Sequence, residues 1–252
     1  VDPATLIGIA AGALILVIVN ALEGGSLSSL VLLPPMLLVF GVTIAVTIAG
    51  GTLGDLRQVP RSLQRAFRGR APQTDDVVPT VVQLAERARR DGLLAIEEDL
   101  ATVDDPFLVK GLRLAIDGTD PEELRELMEA EIDAKRVQDR QRAKFFADAG
   151  GYAPTIGIIG TVMSLVHVLE NLADPEKLGH SIAAAFLATL WGVLSANIIW
   201  LPIAARLRRL SELEGERMEV VVEGVVAIQA GSNPRIIAQR LNTLLRVESE
   251  AA

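Results

Sequence analysis

The chain has 252 residues, half of them apolar, with a formal net charge of −8 and no cysteine. A mean hydropathy of +0.38 excludes an ordinary soluble globular composition. The negative balance argues against a nucleic-acid partner, which would require a basic face, and the lack of cysteine removes disulfides and thiolate chemistry.

Four runs are uncharged or nearly so: Ala4–Leu22, Gly24–Gly54, Ala149–Leu169 and Leu178–Ala205. The hydrocarbon core of a bilayer is spanned by about 20 helical residues, so each run is predicted to cross it. A cleavable leader is not expected in the first run, because no basic region precedes it and a second apolar run follows at once. The runs pair into two hairpins, with turns at Asn20–Ser28 and Glu170–Gly179.

Between the hairpins, Asp55–Asp148 carries 16 Lys or Arg and 20 Asp or Glu. Arg57, Arg61, Arg65, Arg68 and Arg70 follow the second run directly, and Arg206, Arg208 and Arg209 follow the fourth. In the hairpin loops the only basic residue is Lys177. The positive-inside rule therefore puts the large polar segment and both termini in the cytoplasm, with the arginines near the membrane reading lipid headgroups.

Helix signals fill the polar parts. Val78, Val81, Val82, Ala85 and Ala88 recur at helical spacing up to a break at Gly92. Asp120-Pro-Glu-Glu123 combines a cap, a proline at the first helical position and an acid three residues on. From there a helix is expected toward the third span, with Gly150-Gly151 as a possible joint. Another is expected over Arg206–Ala230, and Asn233-Pro234 restarts the chain as a helix.

Strand signals are weak, so the predicted class is an all-α membrane protein with four transmembrane helices. Its segments are a first hairpin over 1–54, a helical cytoplasmic domain over 55–148, a second hairpin over 149–205 and C-terminal cytoplasmic helices over 206–252.

No catalytic constellation is legible. His167 and His180 lack the further ligands of a metal site, and there is no phosphate loop or activated nucleophile. No enzyme activity and no cofactor are expected. The spans instead carry a packing code: Ala153, Gly157 and Thr161 recur every four residues, as do Ala184, Ala188, Gly192 and Ala196. Small residues at that interval let helix backbones approach closely in lipid. Apart from small-residue stripes of their own, the first two spans present a surface of almost all Leu, Ile and Val, and they are expected to face lipid. No acid lies deep in any span, so a conducted cation would need a charge from another protein.

GIIGTVMSLVHVLENLADPEKLGHSIAAAFLATLWGVLSANIIWLPIA, with RRDGLLAIEEDL and AIQAGSNPRIIAQRLNTLL, resembles the MotA and PomA proteins of the bacterial flagellar stator over nearly the whole chain. The resemblance implies a homo-pentamer in the bacterial cytoplasmic membrane around two copies of a single-span MotB- or PomB-type partner, which brings an intramembrane Asp. It implies that passage of Na⁺ or H⁺ turns the ring against the rotor protein FliG.

Residue by residue, the resemblance makes Pro154 and Pro202 the coupling prolines and Arg89, Arg90, Glu97 and Glu98 the rotor-facing charges. It places Thr161 and Thr189 on the ion path. A hydroxyl can replace one water of a hard cation's shell, so sodium is the expected ion and protons the alternative. Taken from the residues alone, the prolines could be tolerated kinks, the charges a solvated face and Thr161 a packing residue bonded one turn back. The related ExbB and TolQ proteins are the alternative family, but they have three spans.

Overall fold

A computed structural model describes residues 4–70, 72, 76–170, 172 and 175–251. The side chain of Lys177 and part of the second hairpin loop lie outside the described residues. No strand occurs among the described residues, as the all-α reading expects. The chain divides into two compact units: unit 1 is Val1–Arg70 with Asp139–Arg209, and unit 2 is Ala71–Gln138 with Leu210–Ala252.

Unit 1 opens with α1 (Ala4–Leu22), which ends before Gly24 at φ 77°, a turn that suits a residue without Cβ. Nothing in Thr5–Leu22 is buried inside the chain. The second apolar run does not form one long helix. It makes a single turn, α2 (Leu27–Leu30), extends through Leu32, and restarts as α3 (Leu33–Ala49). Pro34 and Pro35 explain the break, because residues without an N–H fit only the first helical turn. Within α3, Leu37–Val42 is a π-helical segment. At 17 residues α3 sits at the lower limit of about 17–25 for a span.

Helix α4 (Leu53–Arg68) starts at a capping box, in which Thr52 Oγ1 accepts from the Asp55 N–H at 3.3 Å and Asp55 Oδ2 accepts from the Thr52 N–H at 2.9 Å. Oδ2 also takes the Thr52 hydroxyl at 2.8 Å, and these hydrogen bonds hold the Asp55 carboxyl below its ordinary range. Opposite its exposed face, α4 buries Ser62 and Ala66.

Unit 1 also holds the later part of α7 (Pro121–Glu170), α8 (Pro175–Ser195) and the start of α9 (Leu201–Gln229). Here Val59, Leu63, Ala66 and Phe67 pack with Ala143, Phe146, Ile203, Ala204 and Leu207. Gly150 and Gly151 are not a joint: α7 continues through both. Gly150 instead leaves room for a neighbour, since a Cβ there would stand 2.6 Å from Leu201 Cδ2.

Beside this core the nearly inaccessible carboxylate of Asp139 takes two bonds from Arg65, at 2.6 and 3.1 Å, and one from Arg142 at 3.0 Å. Arg206 donates to the Gly69 carbonyl at 3.3 Å. Arg65 is thus held inside the protein, which corrects the expectation that all these arginines meet headgroups.

Unit 2 contains α5 (Val77–Asp91), α6 (Pro106–Ile116), the start of α7, the end of α9, and α10 (Pro234–Ala251). The Gly92 break appears as expected, at φ 92°, followed by two 3₁₀ turns, Leu93–Ile96 and Glu98–Thr102. Asp105 caps α6 by accepting from the N–H groups of Phe107 and Leu108 at 2.9 and 3.1 Å, and its other oxygen faces Arg217 at 2.6 Å. The caps at Asp120 and Asn233 form as read, each side chain accepting from the N–H two residues on. The core joins Val81, Ile96, Leu108, Leu112, Met128, Val221, Val225 and Ile237.

Candidate ion-path site and helix crossing

In unit 1, α7 and α8 cross where their glycines meet. A Cβ on Gly157 would lie 2.8 Å from the Ala188 carbonyl oxygen and 3.2 Å from Gly192 Cα. One on Gly192 would lie 2.7 Å from the Ala153 oxygen and 3.0 Å from Gly157 Cα. The two backbones touch, an approach that only small residues at the crossing permit. Ala153, Gly157, Ala188, Gly192 and Ala196 are buried, while Ala184 is half-buried.

One turn along from Gly157, Thr161 Oγ1 lies 3.1 Å from the Gly157 carbonyl oxygen, 3.0 Å from that of Ala185 and 2.5 Å from Thr189 Oγ1. Both threonines are half-buried. A hydroxyl has one proton to donate, so Thr161 serves only one of those oxygens at a time. The two carbonyls belong to helical turns of α7 and α8 and accept backbone N–H groups there, so the two hydroxyls are the oxygens free to turn toward a hard cation. The bond one turn back does form, but it is one of three contacts rather than the whole environment.

A cavity of about 380 Å³ is lined by Pro34, Pro35, Gly160, Ser164, His167, His180, Ser181 and Ala184, among others, and reaches Ala188 of the crossing. The two histidines are 13 positions apart in the sequence, with no reason there to join them; the fold brings both to the lining of one cavity. Trp191 ties the first hairpin to α8 by donating from Nε1 to the Leu30 carbonyl at 2.8 Å, a contact that no spacing rule reveals.

Pro154 lies inside α7, and Pro202 near the start of α9 just after a π-helical segment, Ala196–Trp200. Each proline removes one backbone donor, and a π segment is a common way for a helix to absorb such a break. Both prolines are half-buried.

In unit 2, Arg89, Arg90, Glu97 and Glu98 are all exposed. The turn at Gly92 folds the two 3₁₀ segments back on α5, so that Arg87 reaches Glu98 at 3.2 Å and also pairs with Asp99. Arg90 pairs with the adjacent Asp91 at 2.9 Å, which lowers the Asp91 carboxyl and raises the guanidinium. Arg87, Asp91 and Asp99 join these four residues in one charged cluster, through contacts that spacing in the sequence does not reveal.

Residues 99–220 match the MotA/TolQ/ExbB proton channel family. The chain is 35% identical to Motility protein A of Bacillus subtilis, over 95% of this chain and 89% of that protein. The chain belongs to the MotA/PomA family. It is also 33% identical to chemotaxis protein PomA of Vibrio alginolyticus, over 97% of this chain and 95% of that one. The solved flagellar MotAB stator complex of Bacillus subtilis superposes with a TM-score of 0.90 at 34% identity, covering 98% of this chain and 97% of the other. Membership of the MotA/PomA family makes the chain an ion-channel subunit of a flagellar stator, crossing the inner membrane more than once.

Proposed function

We propose that this chain is the A-type subunit of a sodium-driven flagellar stator. Thr161 and Thr189 supply oxygens on the ion path, and a MotB- or PomB-type partner supplies the intramembrane carboxylate. The meeting of the two hydroxyls at the glycine crossing carries this reading. A proton bound to a carboxylate needs no such ligands, whereas a cation leaving water does.

In this arrangement α1, α3, α7 and α8 provide four crossings, with 55–148, 206–252 and both termini in the cytoplasm and 1–54 and 149–205 as the membrane hairpins. Helix α1, with none of its apolar length buried in the chain, suits an outer layer against lipid. A pentamer surrounds two partner helices, Pro154 and Pro202 let the inner helices flex as the ion passes, and Arg89, Arg90, Glu97 and Glu98 engage the rotor protein FliG. An ExbB/TolQ-type role is less favoured, since relatives named for motility and chemotaxis match over almost their full length.

The test is rotation of tethered cells with this chain and its partner as the sole stator, while external sodium is varied at constant pH and membrane potential. Rotation should stop without sodium and resume when it is restored, and Thr161→Ala should raise the sodium needed for half-maximal speed. Full speed in sodium-free medium would instead assign the motor to protons and return both hydroxyls to packing.

A further inference from the structure

Of the eight arginines that flank the membrane ends, the fold commits some internally and leaves others unclaimed. Residues 55–70, 139–148 and 206–209, all of unit 1, carry 11 Lys or Arg and only three Asp or Glu. Every one of those acids is engaged: Asp55 in the cap with Thr52, Asp139 with Arg65 and Arg142, and Asp148 with Lys144 at 2.5 Å. By contrast, Arg57, Arg61 and Arg68 are exposed, and among the described residues no ion pair or hydrogen bond holds their side chains.

At about 100° per residue these three fall within about 40° of one another on α4, and they are spread over about 16 Å of its length. Diametrically opposite lies fully buried Ala66, in the cluster of Phe146 and Ile203. The helix begins at Leu53, four residues after apolar α3 ends at Ala49. Its inner face is fixed on Ala143 and Phe146, just before the apolar stretch of α7, and on Ile203, Ala204 and Leu207 near the start of α9, so the outer face stands at the depth where hydrocarbon gives way to headgroups.

We infer that the Arg57–Arg61–Arg68 stripe is a docking surface for anionic phospholipid headgroups of the adjoining leaflet. Guanidinium groups donate paired bonds to phosphate oxygens and remain charged at any physiological pH. A basic cluster at the end of a membrane helix is where an anionic leaflet is felt most strongly. This goes beyond the positive-inside rule, which treats all eight arginines alike; the structure removes Arg65 and Arg206 from the lipid-binding set. The inference rests on the membrane placement of unit 1 and is independent of the coupling ion.

The experiment uses the full chain with its partner in detergent micelles. Native mass spectrometry follows retention of dioleoylphosphatidylglycerol against dioleoylphosphatidylcholine. The wild-type complex should prefer the anionic lipid by about tenfold or more at low salt, with the preference shrinking as salt rises. In Arg57→Gln/Arg61→Gln/Arg68→Gln it should fall at least about fivefold, and the matching Lys triple variant should retain most of it. Arg113→Gln/Arg235→Gln, which removes two exposed arginines from unit 2, should leave it unchanged. Undiminished preference in the Gln variant overturns the inference. So does dissociation of the complex with lipid preference intact, which would give the stripe to an acidic protein surface. Should the Gln variant fail to fold, salt-independent retention by the wild-type protein is itself the overturning result.

Discussion

The glycines at the α7–α8 crossing of unit 1 and those in the core of unit 2 are crowded by different things. In unit 1, the space where a side chain would stand on Gly157 or Gly192 is filled by backbone: the Ala188 and Ala153 carbonyl oxygens at 2.8 and 2.7 Å. In unit 2, the same space at Gly111 holds Met128 Cε at 2.5 Å and Val225 Cγ2 at 3.1 Å, and at Gly224 it holds Val81 Cγ1 at 2.8 Å. Each choice follows from solvent. Water drives unit 2 to bury long apolar side chains, so its glycines receive their neighbours' tips. Lipid gives no such drive, so α7 and α8 gain contact at their crossing by bringing main chains together.

The difference is most severely tested at Gly192. Its valine variant places three carbons where Gly157 and the Ala153 carbonyl stand, and neither backbone can rotate away. Gly192→Val should therefore separate α7 from α8, pull Thr161 from Thr189, and abolish both motility and recovery of the intact complex. Trp191 is the adjacent residue, and with Trp200 it makes up the whole tryptophan content. Emission should therefore shift while the far-ultraviolet helical signal from unit 2 persists. A motile Gly192→Val strain would show that the crossing is looser than the backbone contact implies.

A smaller effect is expected where burial of side chains does the holding. Leu108 is fully buried in the unit 2 core. Leu108→Ala should cost about 2–5 kcal/mol, seen as a lower melting temperature by circular dichroism. The tryptophan emission should be unperturbed below that transition. If the emission moved first, the two units would not be holding themselves by separate means.

Much of this contrast was legible in the sequence, and what was missing has definable causes. Uninterrupted apolar length announced α1, α7 and α8, and cap chemistry at Asp120 and Asn233 announced the starts of α7 and α10, because both signals are local. The interruption of the second run was written in Pro34-Pro35 but was outweighed by its apolar composition. Gly150-Gly151 looked like a joint because helix propensity ranks glycine low; tertiary contact with Leu201 overrode it. Asp139 is one acid within a polar run, and nothing in DAKRVQDRQRAK marks it as the buried partner of Arg65, 74 positions away.

The candidate site divided in the same way: the four-residue spacing exposed Gly157, Ala188 and Gly192. That Ala185 would lend its carbonyl to Thr161 depends on the rotation of α8, which a pattern of small residues does not fix. Arg87 escaped notice because its link to Glu98 and Asp99 forms only after the chain turns at Gly92.

The subtlest test exchanges the same atoms in both units. Gly157→Ala and Gly111→Ala each add one methyl group inside a helix, and each gains about 1 kcal/mol of helix propensity. At Gly111 the nearest obstacle is the free end of a methionine, which has three rotatable bonds and shifts readily. Overpacking there should roughly cancel the gain, leaving the melting temperature within about 4 °C of wild type. At Gly157 the obstacle is the Ala188 carbonyl, held in its own helix, so the methyl group must lever α8 away and carry Thr189 with it. Gly157→Ala should thus reduce heat tolerance and raise the sodium requirement together. Equal behaviour of the two alanine variants would mean that the backbone contact in unit 1 yields as easily as a side chain, and that the contrast between the units is one of composition only.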